Sequence, residues 1–348
     1  MKFRDASADL LSDFLTNLNK INKFKLRNVS NCSENFRDAR LTEYIFLMTK
    51  ELKLDPAAGF HAVEILQKFI VKHLSELLTE PTPQGATEGG MFDMLKENFP
   101  VLIFSCVQLS SKLSFLTQRI DNDTAVRFLH SVGHSVSKQA LLESELMVLK
   151  VLEFRINDPN PLTYVEVLLE VLGNNQPSIP VERLHELCHH VLQFVSLERK
   201  AIFDSLLVST TQCASPSKEQ RYGVVVPGQV VAVMAEWMSS WVGAPDSSSI
   251  CQREAELECA VLKKKANLRK LPNSTLNREK FVAVTEDYML LGVGVIAVAS
   301  FIHWLEKWKQ IVEELSHITG ISSRSISDFA RVTLMHIVRD PSSCNHLP

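Results

Sequence analysis

Apolar residues recur at the spacing of an α-helix along almost the whole chain. One early stripe consists of Leu41, Ile45, Met48 and Leu52. After a break at Asp55-Pro56, a second stripe consists of Val63, Leu66, Ile70, Leu74 and Leu77. Residues at these spacings share one face of a helix, which can then pack on a core. Because nearly every segment follows this period, the sequence predicts an all-α fold.

Two segments are apolar on almost every side, which predicts helices enclosed by other helices. The first extends from about Asn98 to Phe115 and the second from Met289 to Ile302. The second segment has fourteen residues, whereas a membrane-spanning helix needs roughly 20. We therefore expect a buried core helix and no membrane association. Its Gly292-Val293-Gly294 is interpreted as a helix-packing motif rather than half of a dinucleotide-binding fingerprint.

A run of proline and polar residues from Asn157 to Pro161 predicts a boundary between two halves with similar helical plans. Five helices are predicted before it, and the third is the enclosed one. We expect Asp123 or Thr124 to cap the short fourth helix. The predicted organisation is an N-terminal tail (1–36), a first domain (37–158), a second domain (159–338) interrupted by an irregular insertion (213–278), and a C-terminal tail (339–348).

The fifth helix is predicted from Ser137 to about Leu152, and it closes the first domain. Its sequence places three leucines on one side of the helix. They are Leu142, Leu146 and Leu149. The same helix carries a glutamate, Glu145, three residues after the first of these leucines.

Charge and cysteine content limit the classes of function. A net charge of −3 argues against a protein that coats DNA or an anionic membrane by bulk electrostatics. The basic residues between Lys20 and Arg27 are interpreted as part of a solvated tail rather than a DNA-binding arm. Seven widely spaced cysteines without a C-x-x-C pair indicate reduced intracellular thiols, and the first residues contain no secretory signal. We expect no direct binding of nucleic acid.

The ends of the third and fifth predicted helices resemble the cyclin family. The third helix ends in Ser110-Ser111-Lys112, a context similar to the Ala-Ser-Lys of cyclin boxes. The fifth contains Glu145, followed by the run Leu149 to Leu152 and then by Pro159-Asn160-Pro161, at the spacing of the family. The chain looks most similar to a divergent branch of the cyclins that acts in meiotic crossing-over.

The resemblance extends over about residues 37–211 and 279–338, and it implies two tandem five-helix cyclin boxes with the insertion in the second. It also implies that Lys112 and Glu145 contact the C-helix region of a cyclin-dependent kinase. A lysine and a carboxylate at the edge of an apolar surface can satisfy backbone groups and orient a partner helix. The alternative interpretation is a surface ion pair that contributes only about 0–1 kcal/mol to stability.

The resemblance further implies a protein that acts by binding and promotes meiotic crossover formation. Its implied partners are a cyclin-dependent kinase and recombination or clamp-loader-type factors, on meiotic chromosomes in the nucleus, with the cytoplasm as a second location. We expect neither enzymatic activity nor a cofactor. The alternative is a cyclin-fold scaffold that activates no kinase. Two departures from the family favour it: Gln67-Lys68 stands where many cyclins have Asp-Arg, and only Arg40 and Leu41 match the family's substrate-recruiting patch.

The segment His185-Glu186-Leu187-Cys188-His189 matches the H-E-x-x-H pattern. On a helix this pattern places two imidazoles one turn apart for zinc, with the glutamate as general base, so a zinc metallopeptidase is a further alternative. The downstream candidates for a third ligand, Glu198 and Glu219, have no distinctive context. The same helix has an ordinary packing face, formed by Leu184, Leu187, Val191 and Val195. We therefore interpret the motif as a chance match and predict no metal site.

The insertion contains two short motifs. Ser215-Pro216-Ser217-Lys218 fits the Ser-Pro-x-Lys pattern of cyclin-dependent kinase substrates, which makes Ser215 a candidate phosphorylation site. The basic run from Lys263 to Lys270 fits a nuclear import signal and equally fits a solvated helix face.

Overall fold

The computed structural model describes residues 6–28, 38–79, 98–113, 119–212 and 284–339. Within these ranges it contains twelve α-helices, one short 3-10 helix and no β-strand, so the all-α prediction is confirmed. The predicted insertion at 213–278, with Ser215 and the basic run, lies outside the described residues. So does the predicted C-terminal tail, except for its first residue.

The helices follow one another with short connections in the described ranges. In chain order they are α1 (Ala8–Arg27), α2 (Ala39–Glu51), α3 (Pro56–Thr79), α4 (Phe99–Leu113), α5 (Asn122–Ser131), α6 (Lys138–Val151), α7 (Pro161–Asn175), α8 (Val181–Leu197), α9 (Arg199–Gln212), α10 (Tyr288–His303), α11 (Trp308–Thr319) and α12 (Ser323–Arg339). The described residues fall into two compact units, one between 38 and 160 and the other formed by 6–28, 161–212 and 284–339.

The first compact unit is built around α4. This helix packs against α2, α3, α5 and α6, and every residue from Pro100 to Ser111 is buried. A helix that is apolar on all sides must be covered on all sides to remove that surface from water. The predicted enclosure of the third helix of this unit is therefore confirmed.

The N-terminal cap of α5 lies earlier in the chain than predicted. Asp121 Oδ1 accepts a hydrogen bond of 2.7 Å from the backbone N–H of Thr124, and this bond lowers the pKa of the Asp121 carboxyl. Asp123 lies in the first turn of the helix and forms an ion pair with Lys138. The prediction of Asp123 or Thr124 as the cap was wrong, because all three residues are good caps and the sequence pattern does not choose among them.

The second compact unit is built around α10, which packs against α7, α8, α11 and α12. A Cβ atom on Gly294 would clash with the ring of Phe329, and one on Gly292 would lie 2.9 Å from Leu168 Cδ1. Both glycines therefore allow close helix packing, as predicted. None of the helices in the described ranges is long and apolar enough to cross a membrane.

Helix α1 belongs to the second compact unit, where it packs on α7 and α10. It buries Leu11, Leu18 and Asn22. The Asn22 side chain donates to Asp287 Oδ1 at 2.8 Å and accepts from the backbone N–H of Tyr288 at 3.0 Å, at the beginning of α10. This segment is thus a packed helix rather than the solvated tail that we expected, because Leu11, Leu18 and Asn22 lie on one side of the helix and are buried there.

Candidate functional site

Lys112 and Glu145, the two residues assigned to partner binding, form an ion pair. Lys112 Nζ donates to Glu145 Oε1 at 2.6 Å and to Oε2 at 2.8 Å. Lys112 lies in the last turn of α4 and Glu145 lies in the middle of α6, and these two helices pack against each other. The enclosed helix and α6 therefore position the pair.

The two partners of this ion pair differ in exposure. The side chain of Glu145 is 8% exposed, whereas that of Lys112 is 38% exposed. A buried carboxylate without a partner would be strongly destabilising, so Lys112 compensates the charge of Glu145. An ammonium group has three N–H donors, and the carboxylate takes two of them. The exposed side of Lys112 can therefore donate to a group outside the chain.

Exposed leucines flank Glu145 on α6. Leu142 and Leu146 are each 43% exposed, and positions 142 and 146 are one helical turn apart. The buried residues of this helix are instead Leu141, Glu145 and Val148. Two of the three leucines that the sequence places on one side of α6 thus form a partly exposed apolar surface, which the helical period alone could not separate from a core-facing side.

Ion pairs to α3 hold the chain where it leaves α6. Lys72 Nζ lies 2.6 Å from Glu153 Oε1, which lowers the pKa of the Glu153 carboxyl, and Lys68 pairs with Asp158. Glu153 and Phe154 both have left-handed backbone conformations, with φ of 51° and 60°. Such conformations cost of order 1 kcal/mol or more each in residues other than glycine. They orient a segment in which Phe154 is largely exposed.

The H-E-x-x-H segment lies on α8, and its two histidines are in contact. The ring centroids of His185 and His189 are 4.4 Å apart. Glu166 of α7 joins them, with its Oε1 at 3.1 Å from His185 Nε2, and the ligand atoms of the three residues all lie within 4.8 Å of one another. Of the downstream candidates, Glu198 is the C-terminal cap of α8 and Glu219 lies outside the described residues.

Glu166 was not predicted as the third member of this cluster, because it precedes the motif, whereas the predicted candidates, Glu198 and Glu219, follow it. No short-range spacing connects residue 166 to residue 185. The proximity follows from the register in which α7 and α8 pack, and the sequence carries no separate signal for that register.

The electrostatics of this cluster depend mainly on burial. Burial lowers the pKa of His189 to about 3, and the nearby His185 and His190 contribute in the same direction. His189 is therefore neutral at pH 7, and its Nε2 is a buried atom without a hydrogen-bond partner in the part of the chain that the structure describes. Cys188 is fully buried in the core, and burial raises the pKa of its thiol, which disfavours the thiolate that a metal would need.

Comparison with known proteins identifies two relatives that match almost the entire chain. The Homo sapiens protein named cyclin N-terminal domain-containing protein 1 is 34% identical over 342 residues, which cover 96% of this chain and 86% of the relative. The Mus musculus protein of the same name is 31% identical over 344 residues, which cover 97% of this chain and 86% of the relative. No protein-family model matches the chain.

Proposed function

The chain belongs to the family of cyclin N-terminal domain-containing protein 1, and on this premise we propose that it is a regulatory protein without catalytic activity that binds a cyclin-dependent kinase. The binding surface is the exposed side of α6 around Glu145, together with Lys112 of α4. As the resemblance implies, this binding promotes crossover formation in meiotic recombination, on chromosomes in the nucleus. Recombination and clamp-loader-type factors are the other partners.

The observation that carries this proposal is the position of an ion pair beside an exposed apolar surface. Stability alone would explain why Lys112 and Glu145 are paired, but it would not explain two half-exposed leucines next to them. Leu142 and Leu146 gain nothing from exposure to water, since burial of apolar surface contributes roughly 25 cal/mol per Å². Apolar side chains beside anchored polar groups are the usual composition of a protein-binding surface.

The chemistry of the surface suits a helix of the kinase. Leu142 and Leu146 would bury apolar side chains of that helix. The third N–H of Lys112 would donate a charge-assisted hydrogen bond to a backbone carbonyl at the end of the kinase helix. Kinase activity requires an ion pair between a lysine and a glutamate of the kinase itself, and this pair depends on the position of the kinase C-helix. A protein that binds more tightly to the active position increases the population of that state.

A kinase-independent scaffold is the second candidate function, and one observation favours it. Both oxygens of Glu145 accept from Lys112, and Glu145 is nearly buried. A kinase that used this carboxylate directly would first have to open the pair. In the scaffold function, the same apolar surface of α6 would bind a recombination factor instead.

Co-purification of the full chain from meiotic tissue tests the proposal. We expect a cyclin-dependent kinase to be recovered with the wild-type chain and to be lost from a Leu142→Asp/Leu146→Asp variant. A Leu305→Asp variant is the matched control, since Leu305 is a similarly exposed leucine of the second compact unit. Kinase recovery that is unchanged by both the leucine variant and a Lys112→Met/Glu145→Leu variant would refute the proposed surface. Recovery of recombination factors without any kinase would establish the scaffold function instead.

A further inference from the structure

Three side chains that commonly bind metals come together on α7 and α8. They are Glu166, His185 and His189, and their ligand atoms lie within 4.8 Å of one another. In a tetrahedral zinc site with bonds of 2.0–2.1 Å, neighbouring ligand atoms are about 3.3 Å apart. Glu166 Oε1 and His185 Nε2 already have a separation of 3.1 Å. Small side-chain rotations would therefore bring the third ligand atom to the same spacing.

We propose that Glu166, His185 and His189 form a binding site for a divalent transition-metal ion of the zinc class, with water as the fourth ligand. Two imidazole nitrogens and one carboxylate oxygen are a ligand set that zinc uses when its fourth position is open. Calcium and magnesium prefer oxygen ligands throughout. The side chains of Glu166 and His185 are 26% and 14% exposed, which leaves an approach for the ion and the water.

Hydrogen bonds among the described residues do not satisfy every polar atom of this cluster. The contact with Glu166 satisfies His185, but His189 Nε2 is a buried nitrogen without a hydrogen-bond partner among the described residues. A buried polar atom in this condition destabilises the fold. A metal ion bound to its lone pair would remove that cost, and the position of His189 one turn after His185 directs both rings to the same place.

The helices that carry the ligands are firmly packed. The core-facing residues beside the three ligands are fully buried: Val165, Leu169, Leu184, Cys188 and Leu192. Ligands on rigid, packed helices lose little conformational freedom when an ion binds. Because the site connects α7 with α8, the ion would act as a clamp within the second compact unit.

The proposed clamp is distinct from a peptidase site. Glu186, the general base of the peptidase interpretation, is exposed to solvent rather than enclosed with the three ligands. The clamp also does not depend on kinase binding, since its residues all lie on α7 and α8, whereas the proposed kinase-binding residues lie on α4 and α6.

Titration of the full, chelator-treated chain with Co²⁺ tests the site, because four-coordinate Co²⁺ has visible absorption bands that report nitrogen and oxygen ligands. We expect one equivalent to bind, to be displaced by Zn²⁺, and to raise the thermal unfolding midpoint. Loss of an outer partner of a metal ligand typically lowers affinity 10–100-fold. Loss of a ligand itself, in Glu166→Gln, His185→Gln or His189→Gln, should lower it by at least as much.

The control variant is His190→Gln, which changes the neighbouring histidine on the same helix and should bind Co²⁺ like the wild type. Equal affinity in the wild type and in both Glu166→Gln and His189→Gln would overturn the proposal. So would the absence of one-equivalent binding by the wild-type chain, a result that does not depend on whether any variant folds. A strong thiolate-to-cobalt charge-transfer band would assign the ion to cysteines and would also overturn it.

Discussion

Leu141 is fully buried in the core of the first compact unit, whereas its neighbour Leu142 is 43% exposed. Glu145 and Val148 share the buried side of α6 with Leu141, and Leu146 shares the exposed side with Leu142. The helix therefore has one apolar side for its own core and a second one that faces outward. This arrangement separates residues that stabilise the fold from residues that are available to a partner.

The separation predicts opposite outcomes for two adjacent substitutions. Leu141→Ala should lower the free energy of unfolding by about 2–5 kcal/mol because it creates a cavity. Leu142→Ala should change it by no more than about 0.5 kcal/mol, as expected for a surface position. Urea denaturation of the full chain, followed by circular dichroism, measures both values. Similar losses in the two variants would contradict the assigned orientation of α6.

The Lys112–Glu145 pair predicts a strongly non-additive double-mutant cycle. Lys112→Met should cost about 1–3 kcal/mol, since it leaves a nearly buried carboxylate without its charged donor. The Lys112→Met/Glu145→Leu variant should recover most of that loss, because an apolar pair of similar size needs no compensation. Urea denaturation of the wild type, both single variants and the double variant gives the coupling energy. Additive effects would mean that the pair is not coupled in solution.

The helical period of the sequence predicted the helices of the first compact unit, but it did not predict α1, and it did not show which apolar faces would be exposed. Ser137 caps α6 at the predicted beginning of that helix, because a polar cap before a periodic segment is a local signal. Leu142 and Leu146 follow the same period as core residues, so their exposure could not be predicted from spacing. The contact between Glu166 and His185 depends on the packing register of two helices, which is a tertiary property.

His61 predicts part of the pH dependence of stability. Its Nε2–H donates to the carbonyl of Ile156 at 2.7 Å, and burial lowers the pKa of His61 below its ordinary value despite this bond. In the unfolded chain a histidine has a pKa of about 6.5. As the pH falls below that value, the unfolded state binds a proton that the folded state resists, so stability decreases until the folded pKa is reached.

A His61→Gln variant should therefore lose less stability than the wild type when the pH falls from 7.5 to 5.5. This range spans the pKa of about 6.5 of an unfolded histidine. The difference should be at most about 1.4 kcal/mol per pH unit, the effect of one proton. Urea denaturation at a series of pH values provides the measurement. His130→Gln, at an exposed histidine of α5, is the control and should follow the wild-type profile. Identical profiles for the wild type and His61→Gln would exclude this role of His61.

The close approach of α10 to α12 at Gly294 predicts a rescue experiment. Gly294→Ala places a Cβ atom in steric clash with the ring of Phe329, and Phe329 is fully buried, so neither residue can move away freely. Overpacking of this kind costs typically about 1–3 kcal/mol. A smaller side chain should relieve the clash, so that Phe329→Leu costs less stability in the Gly294→Ala chain than in the wild type. Thermal unfolding of the four chains tests this coupling, and equal costs in both backgrounds would show that the two helices do not meet at these residues.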